Sequence, residues 1–252
     1  NNYVHNDEKS DSAEVQTLRA IFAAPQSKTF KSSSIDQSAM IEGWRQELPY
    51  SIWLQEEPAP LMIQLPGLGS HRKGNMDLAL AELAYNEGYS VLIFSNTFNW
   101  EFMTSAPKGY APGYVEKDKE MLRIAYQGIM ADLDTDYGAD RFLNRSLIGM
   151  SMGAWYTLNL AADLNERGVS HLVDHCIAIN PPLNLIQSLA ELDDLYRAPY
   201  QNGDIVEAQK IIDSALAKAL ISVTMGLQPS SDLPFTNAEA SYLIGLNFRL
   251  TL

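Results

Sequence analysis

Gly149-Met150-Ser151-Met152-Gly153 is the stretch on which the reading of this chain turns. Ser146–Met150 just before the serine is short and apolar, as a buried strand is. Residues 152–167 read as a helix closed by Gly168. A strand that turns sharply into a helix strains its apex residue, and side chains on either flank would collide. Glycine at both flanking positions removes the collision. The apex hydroxyl then projects from the carboxyl edge of a sheet. Beneath it, the helix amino terminus offers unpaired N–H groups and a positive dipole end, suited to a developing oxyanion. The pentapeptide alone also arises by chance in glycine-containing turns; its place between strand and helix gives it weight.

Outward from this turn, short apolar strands alternate with helices. Tyr50–Leu54, Leu61–Leu65, Val91–Phe94, Ser146–Met150 and Cys176–Ile179 read as strands. Asp77–Glu87 reads as a helix ended by Gly88, and Glu120–Leu133 places Leu122, Ala125, Ile129 and Leu133 on one face of another. Such alternation predicts an α/β fold: a doubly wound, mostly parallel sheet with right-handed crossovers. Ligands then bind outside the carboxyl ends of the strands. After Pro182 the strands stop. Leu185, Leu189, Leu192 and Tyr196 mark one helix, and Asp204 to Glu207 resembles a capping box before a second. Phe235–Leu252 fits a helix or a final strand. The first 45 residues are polar. A helix capped at Asp11 and carrying Val15, Leu18 and Phe22 is expected there, and the remainder reads as a surface extension. The expected organisation is an extension over 1–45, an α/β core over 46–182 and a helical region over 183–252.

A second glycine-rich turn, Pro66-Gly67-Leu68-Gly69-Ser70-His71, follows the strand Leu61–Leu65 directly. With the G-x-S-x-G turn it makes residues 47–182 resemble the α/β-hydrolase superfamily, the serine hydrolases built on a nucleophile elbow. The resemblance implies that Ser151 is the nucleophile, that Leu68 and Met152 N–H form the oxyanion hole, and that Gly67, Gly149 and Gly153 support the turns. It also implies a lid or cap made by the helices after Pro182, which read equally well as core helices. A dinucleotide site is the competing reading of the glycine turn. Arg72 stands where a third glycine is needed, and Phe94-Ser95-Asn96 brings no acid for a ribose.

A serine nucleophile needs a base, and the family order is Ser, then Asp or Glu, then His. The chain has His5, His71, His171 and His175. The helix after Ser151 runs back along the sheet for about 24 Å, so His171 and His175 belong near the opposite edge. No third residue joins them as a metal set. His71 lies on the Ser151 side and could shape a pocket there, but not from the family's position for the base. Only 70 residues follow Pro182, and Asp193, Asp194, Asp204, Asp213 and Asp232 among them carry no catalytic signature. Three explanations stand: the chain lacks the carboxyl-terminal part of the usual fold, it uses an atypical base such as His71, or it is a hydrolase fold without activity.

Composition bounds the chemistry. The chain has 252 residues, 46% of them hydrophobic and 19% charged, enough for a full core without disulfide or metal. Its net charge of −13 repels phosphate backbones, so no nucleic-acid partner is expected. No apolar run reaches the roughly 18 residues of a membrane span. Cys176, the single cysteine, sits in an apolar run and is expected to be buried and inert. The start at Asn1 suits a processed or a merely trimmed product; a removed signal peptide would explain it, and an exported bacterial protein is the reading favoured. No metal or cofactor is expected. Phe98, Trp100, Phe102, Tyr110 and Tyr114, in the loop after Phe94, would line an apolar pocket or pack that loop onto the body. The expectation is an esterase or lipase-like acyl hydrolase, acting through an acyl-enzyme on Ser151 on a small-molecule ester of medium size with an apolar part, an amide being the second choice. The alternative is a non-catalytic binding module of the same fold with an incomplete triad.

Overall fold

A computed structural model describes residues 11–169, 172–225 and 233–251. The chain divides into two compact units, residues 24–183 and residues 1–23 with 184–252.

The first unit begins with β1 (Ile35–Ala39), β2 (Leu48–Trp53) and β3 (Ala59–Leu65). Helix α2 (Asn75–Asn86) and β4 (Ser90–Phe94) follow, then α3 (Trp100–Ser105) and α4 (Val115–Tyr137). It closes with β5 (Phe142–Met150), α5 (Met152–Glu166) and β6 (His175–Ile179). The strands form one sheet in the order β1-β2-β4-β3-β5-β6. Strands β4, β3, β5 and β6 run parallel, whereas β2 is antiparallel to both β4 and β1. This is the mostly parallel α/β sheet that the alternation predicts.

Side-chain alternation along the strands supplies two core faces. Met62, Val91, Ile93 and Ile148 meet Leu78, Ala81 and Ala84 of α2, with Phe30 and Trp53 completing the cluster. Leu61, Ile63, Leu92 and Leu147 alternate with them and are fully buried, as are Ala125, Ile129 and Leu133 of α4.

The structure differs from the sequence reading in several places. Residues 30–39, expected as surface extension, hold a short 3-10 turn and the edge strand β1. Strand β1 is mostly polar and is fixed by its partner: Tyr50 OH donates to Gln37 Oε1 and Ser51 OH to Asp36 Oδ1. Helix α3 interrupts the loop after β4, capped by the Asn99 side chain, which accepts from Glu101 N–H. Cys176 is exposed, not buried. It lies on β6, where, among the described residues, the apolar run pairs with β5 on one side alone.

The second unit is helical. It contains α1 (Ala13–Ile21), α6 (Leu185–Arg197), α7 (Ile205–Met225) and α8 (Asn237–Thr251). Ser12, not Asp11, caps α1 by accepting from Val15 N–H; Asp11 instead pairs with Arg19. Asp204 caps α7 through bonds from Val206 and Glu207 N–H. The ambiguous carboxyl-terminal stretch is the helix α8. Its Ala240, Leu243 and Ile244 pack with Val15 and Leu18 of α1 and Ala215 of α7. Among the described residues no helix is long and apolar enough to cross a membrane.

Candidate active site

Strand β5 pairs with β3 through Leu65 and Gly149, and with β6 through Met150 and Ile179. Ser151 therefore leaves the sheet at its carboxyl edge between two neighbouring strand ends. Its backbone has φ 54 and ψ −124, a region L residues avoid. Its N–H donates to Ile179 O at 2.9 Å, and its carbonyl accepts the first helical bond, from Trp155 N–H at 3.1 Å. A serine before a helix ordinarily caps it. Here the side chain makes no capping bond, because the inverted φ turns it off the helix axis.

Both glycines of the pentapeptide are sterically required. A Cβ on Gly149 would lie 2.2 Å from Gly153 O, and one on Gly153 would lie 1.9 Å from Leu65 O and 2.7 Å from Pro66 O. The first glycine lets the helix fold back over its strand. The second lets the elbow press against the end of β3.

The turn after β3 lies against the serine. A Cβ on Gly67 would come 3.6 Å from Met150 O and 4.0 Å from Ser151 Cβ. The residue in the left-handed region is Gly69, with φ 68. The backbone turn thus needs glycine at 69, while Gly67 serves the close approach. Ser70 N–H donates to Gly67 O at 3.0 Å. Among the described residues, Leu68 N–H donates no backbone bond, and Met152 N–H is one of the orphan amides of the first turn of α5. Neither amide is thus spent on a backbone bond among the described residues.

Polar side chains brace this turn from behind. Ser70 OH donates to Asp77 Oδ2 at 2.6 Å, and Gln64 Nε2 donates to Asp77 Oδ1 at 2.9 Å. Burial of Asp77 outweighs both bonds and pushes its carboxyl up to about 6. Asn96 and Asn99, from the segment after β4, donate to Pro66 O and Gly69 O, each at 2.9 Å. Sequence reading missed these asparagines. Their one signal is a polar run, Ser95-Asn96-Thr97, that follows an apolar strand and is buried.

Among the described residues, neither histidine hydrogen-bonds the serine. His71 is exposed, and its Nδ1 accepts from Lys73 N–H at 3.2 Å. Partial burial of the ring holds its pKa below the usual value; Glu101 acts against this, while Lys31 and Arg72 reinforce it. These charges belong to a cluster in which Arg72 and Lys73 pair with Asp36. His175 opens β6, four residues before the Ile179 that touches Ser151, about 13 Å along the strand. His5 and His171 lie outside the described residues.

The carboxylates of the helical unit have other occupations. Asp193 pairs with Arg249 and Arg197, Asp194 pairs with Arg197, and Asp213 accepts from Gln209. Asp232 lies outside the described residues. In the loop after β4, Phe102 is fully buried against Trp44 and Tyr110. Tyr110 and Tyr156 both bond the buried Asp118. Phe102 and Tyr110 therefore pack the loop, while Trp100 and Tyr114 are exposed.

No family model matches the chain, and no curated protein matches it. Several solved structures resemble it loosely. The esterase Pf2001 of Pyrococcus furiosus is 21% identical over 67% of this chain and 60% of its own, with a TM-score of 0.46. Brefeldin A esterase, described as a bacterial homologue of human hormone sensitive lipase, is 13% identical over 96% and 62%, with a TM-score of 0.47. A structure from work on two esterases of Rhizomucor miehei is 15% identical over 73% and 53%, with a TM-score of 0.45. The chain thus spans between 53% and 62% of the length of these proteins. Likenesses this distant do not bear on activity.

Proposed function

We propose that the protein is a serine hydrolase of esterase type, acting through Ser151. The observation that carries this reading is the strained apex itself. A non-glycine residue at φ 54, flanked by two glycines that no side chain could replace, is costly to keep. In this reading the Leu68 and Met152 amides, which make no backbone bond among the described residues, serve as the oxyanion donors.

In the proposed reaction, Ser151 Oγ attacks the carbonyl carbon of an ester and gives up its proton to a base. The carbonyl π pair moves onto oxygen, which accepts from Leu68 and Met152 N–H. The intermediate collapses by expelling the alcohol, which takes up the proton, and leaves an acyl-serine. Water then adds to the acyl carbon and returns Ser151 and the acid. The substrate proposed is a small-molecule ester of medium size with an apolar part.

One observation favours a second reading, a non-catalytic binding module: among the described residues no histidine hydrogen-bonds Ser151. Hydrolysis of p-nitrophenyl butyrate separates the two. The enzyme reading expects turnover that Ser151→Ala abolishes with the circular dichroism spectrum unchanged. Equal turnover in the variant would end the assignment of Ser151. No turnover in a folded parent would favour the binding module.

A further inference from the structure

We propose that Asn96 is a positioning residue for the Ser151 site, clamping the turn that carries the Leu68 amide. The proposal rests on the reading of Ser151 as nucleophile. Asn96 lies two residues beyond β4 and is only 3% exposed. Each polar group it has is used. Nδ2 donates to Pro66 O at 2.9 Å, Oδ1 accepts from Phe98 N–H at 2.9 Å, and the backbone N–H donates to Ser70 O at 3.1 Å. Asn99 Nδ2 adds the bond to Gly69 O.

The turn is thereby held at both ends. Pro66 O is fixed by Asn96 on one side and meets Gly153 of the elbow on the other. Gly67 O is fixed by Ser70 N–H, and Ser70 O by Asn96 N–H. A peptide unit is planar, so holding Gly67 O also sets the direction of Leu68 N–H. An oxyanion donor displaced by an ångström loses much of its worth.

Chemistry explains why asparagine stands there. One buried side chain must donate to Pro66 O and accept from Phe98 N–H, and an amide does both. A carboxylate only accepts, so it would repel Pro66 O. A protonated carboxyl can donate again. Asn96→Asp therefore turns the clamp into a pH-dependent one, with burial raising the new carboxyl above its ordinary value.

The test measures the rate of fluorophosphonate labelling at Ser151 by mass spectrometry, with hydrogen exchange of the 66–70 segment, at pH 7.5 and pH 5. At pH 7.5, N96D should label about 10- to 100-fold more slowly than the parent, with faster exchange in 66–70. At pH 5 both differences should shrink. A parent labelled at Ser151 with an N96D rate equal to it at both pH values would overturn the clamp and leave Ser151 standing. Equal slowing at both pH values would also overturn it, since general loosening has no such pH signature. A folded parent that does not label would overturn the Ser151 reading, and the clamp's role in the reaction with it. Should N96D fail to fold, Asn99→Asp keeps the cap on α3 but loses the bond to Gly69 O. It should slow labelling in the same pH-dependent sense, and parent-like labelling there would overturn the clamp.

Discussion

A Cβ on Gly153 would stand 1.9 Å from the carbonyl oxygen of Leu65, closer than any nonbonded carbon and oxygen can come. The elbow and the end of β3 meet backbone to backbone, and this contact sets how near Ser151 lies to the glycine turn.

Gly153→Ala should therefore force backbone to move and cost about 3 kcal/mol. Gly67→Ala places its methyl in ordinary contact, 3.6 Å from Met150 O, and should cost less than about 1 kcal/mol. Urea midpoints of the two variants check this. Equal midpoints would show that the elbow is not packed as described.

Ser151 pays for its conformation in stability. Ser151→Gly removes the Cβ that makes φ 54 costly and should stabilise the fold by about 1 kcal/mol. Ser151→Ala keeps the strain and should not. A urea midpoint higher in S151G than in S151A is the expected result.

Asp77 gives a pH dependence whose sign is opposite to that of a paired carboxylate. Burial raises it from 3.8 to about 6, against the pull of the Ser70 and Gln64 bonds. Between those values the folded protein keeps a proton that the unfolded chain has released, so this group's contribution falls as pH rises from about 4 to about 6. The cost at neutral pH is on the order of 2–3 kcal/mol. Asp77→Asn should gain on the parent by that amount between pH 4 and pH 7, read from urea unfolding at both. A constant difference would contradict the burial argument.

Glu239 behaves the other way. Burial opposes its charge, but bonds from Lys218, Ser214 and Thr236 N–H outweigh burial and hold its carboxyl below the ordinary 4.5. Thr236 Oγ1 accepts from Glu239 N–H in return, so the pair forms a capping box at the start of α8. Its stabilisation is present above about 4.5 and is lost as pH falls through the lowered value. Glu239→Gln should cost about 1–2 kcal/mol at pH 7, with the gap in thermal midpoint closing in acid.

The sheet and the tight turn between β5 and α5 were legible because both are local. Apolar runs of strand length located β2 to β6, and steric need accounts for glycine at 149 and 153. What escaped depends on partners distant in the chain. Strand β1 is polar and is a strand only beside Tyr50 and Ser51. Cys176 looked buried because an apolar run carries no mark of lying at a sheet edge. Gly67 was read as the turn residue, when the positive φ falls at Gly69. The bonds from Asn96 and Asn99 to the glycine turn each span 30 residues, and no spacing rule announces a side chain seeking a carbonyl that far away. The base that would serve Ser151 was not found in the sequence, and none of the described histidines stands at hydrogen-bonding distance.

The most direct measurement is mass spectrometry of the intact folded protein after treatment with a fluorophosphonate. A single adduct on the peptide containing Ser151, absent from Ser151→Ala, is the predicted result. A folded protein that takes up no adduct, or one whose adduct persists in the alanine variant, would contradict the assignment of Ser151 as a nucleophile.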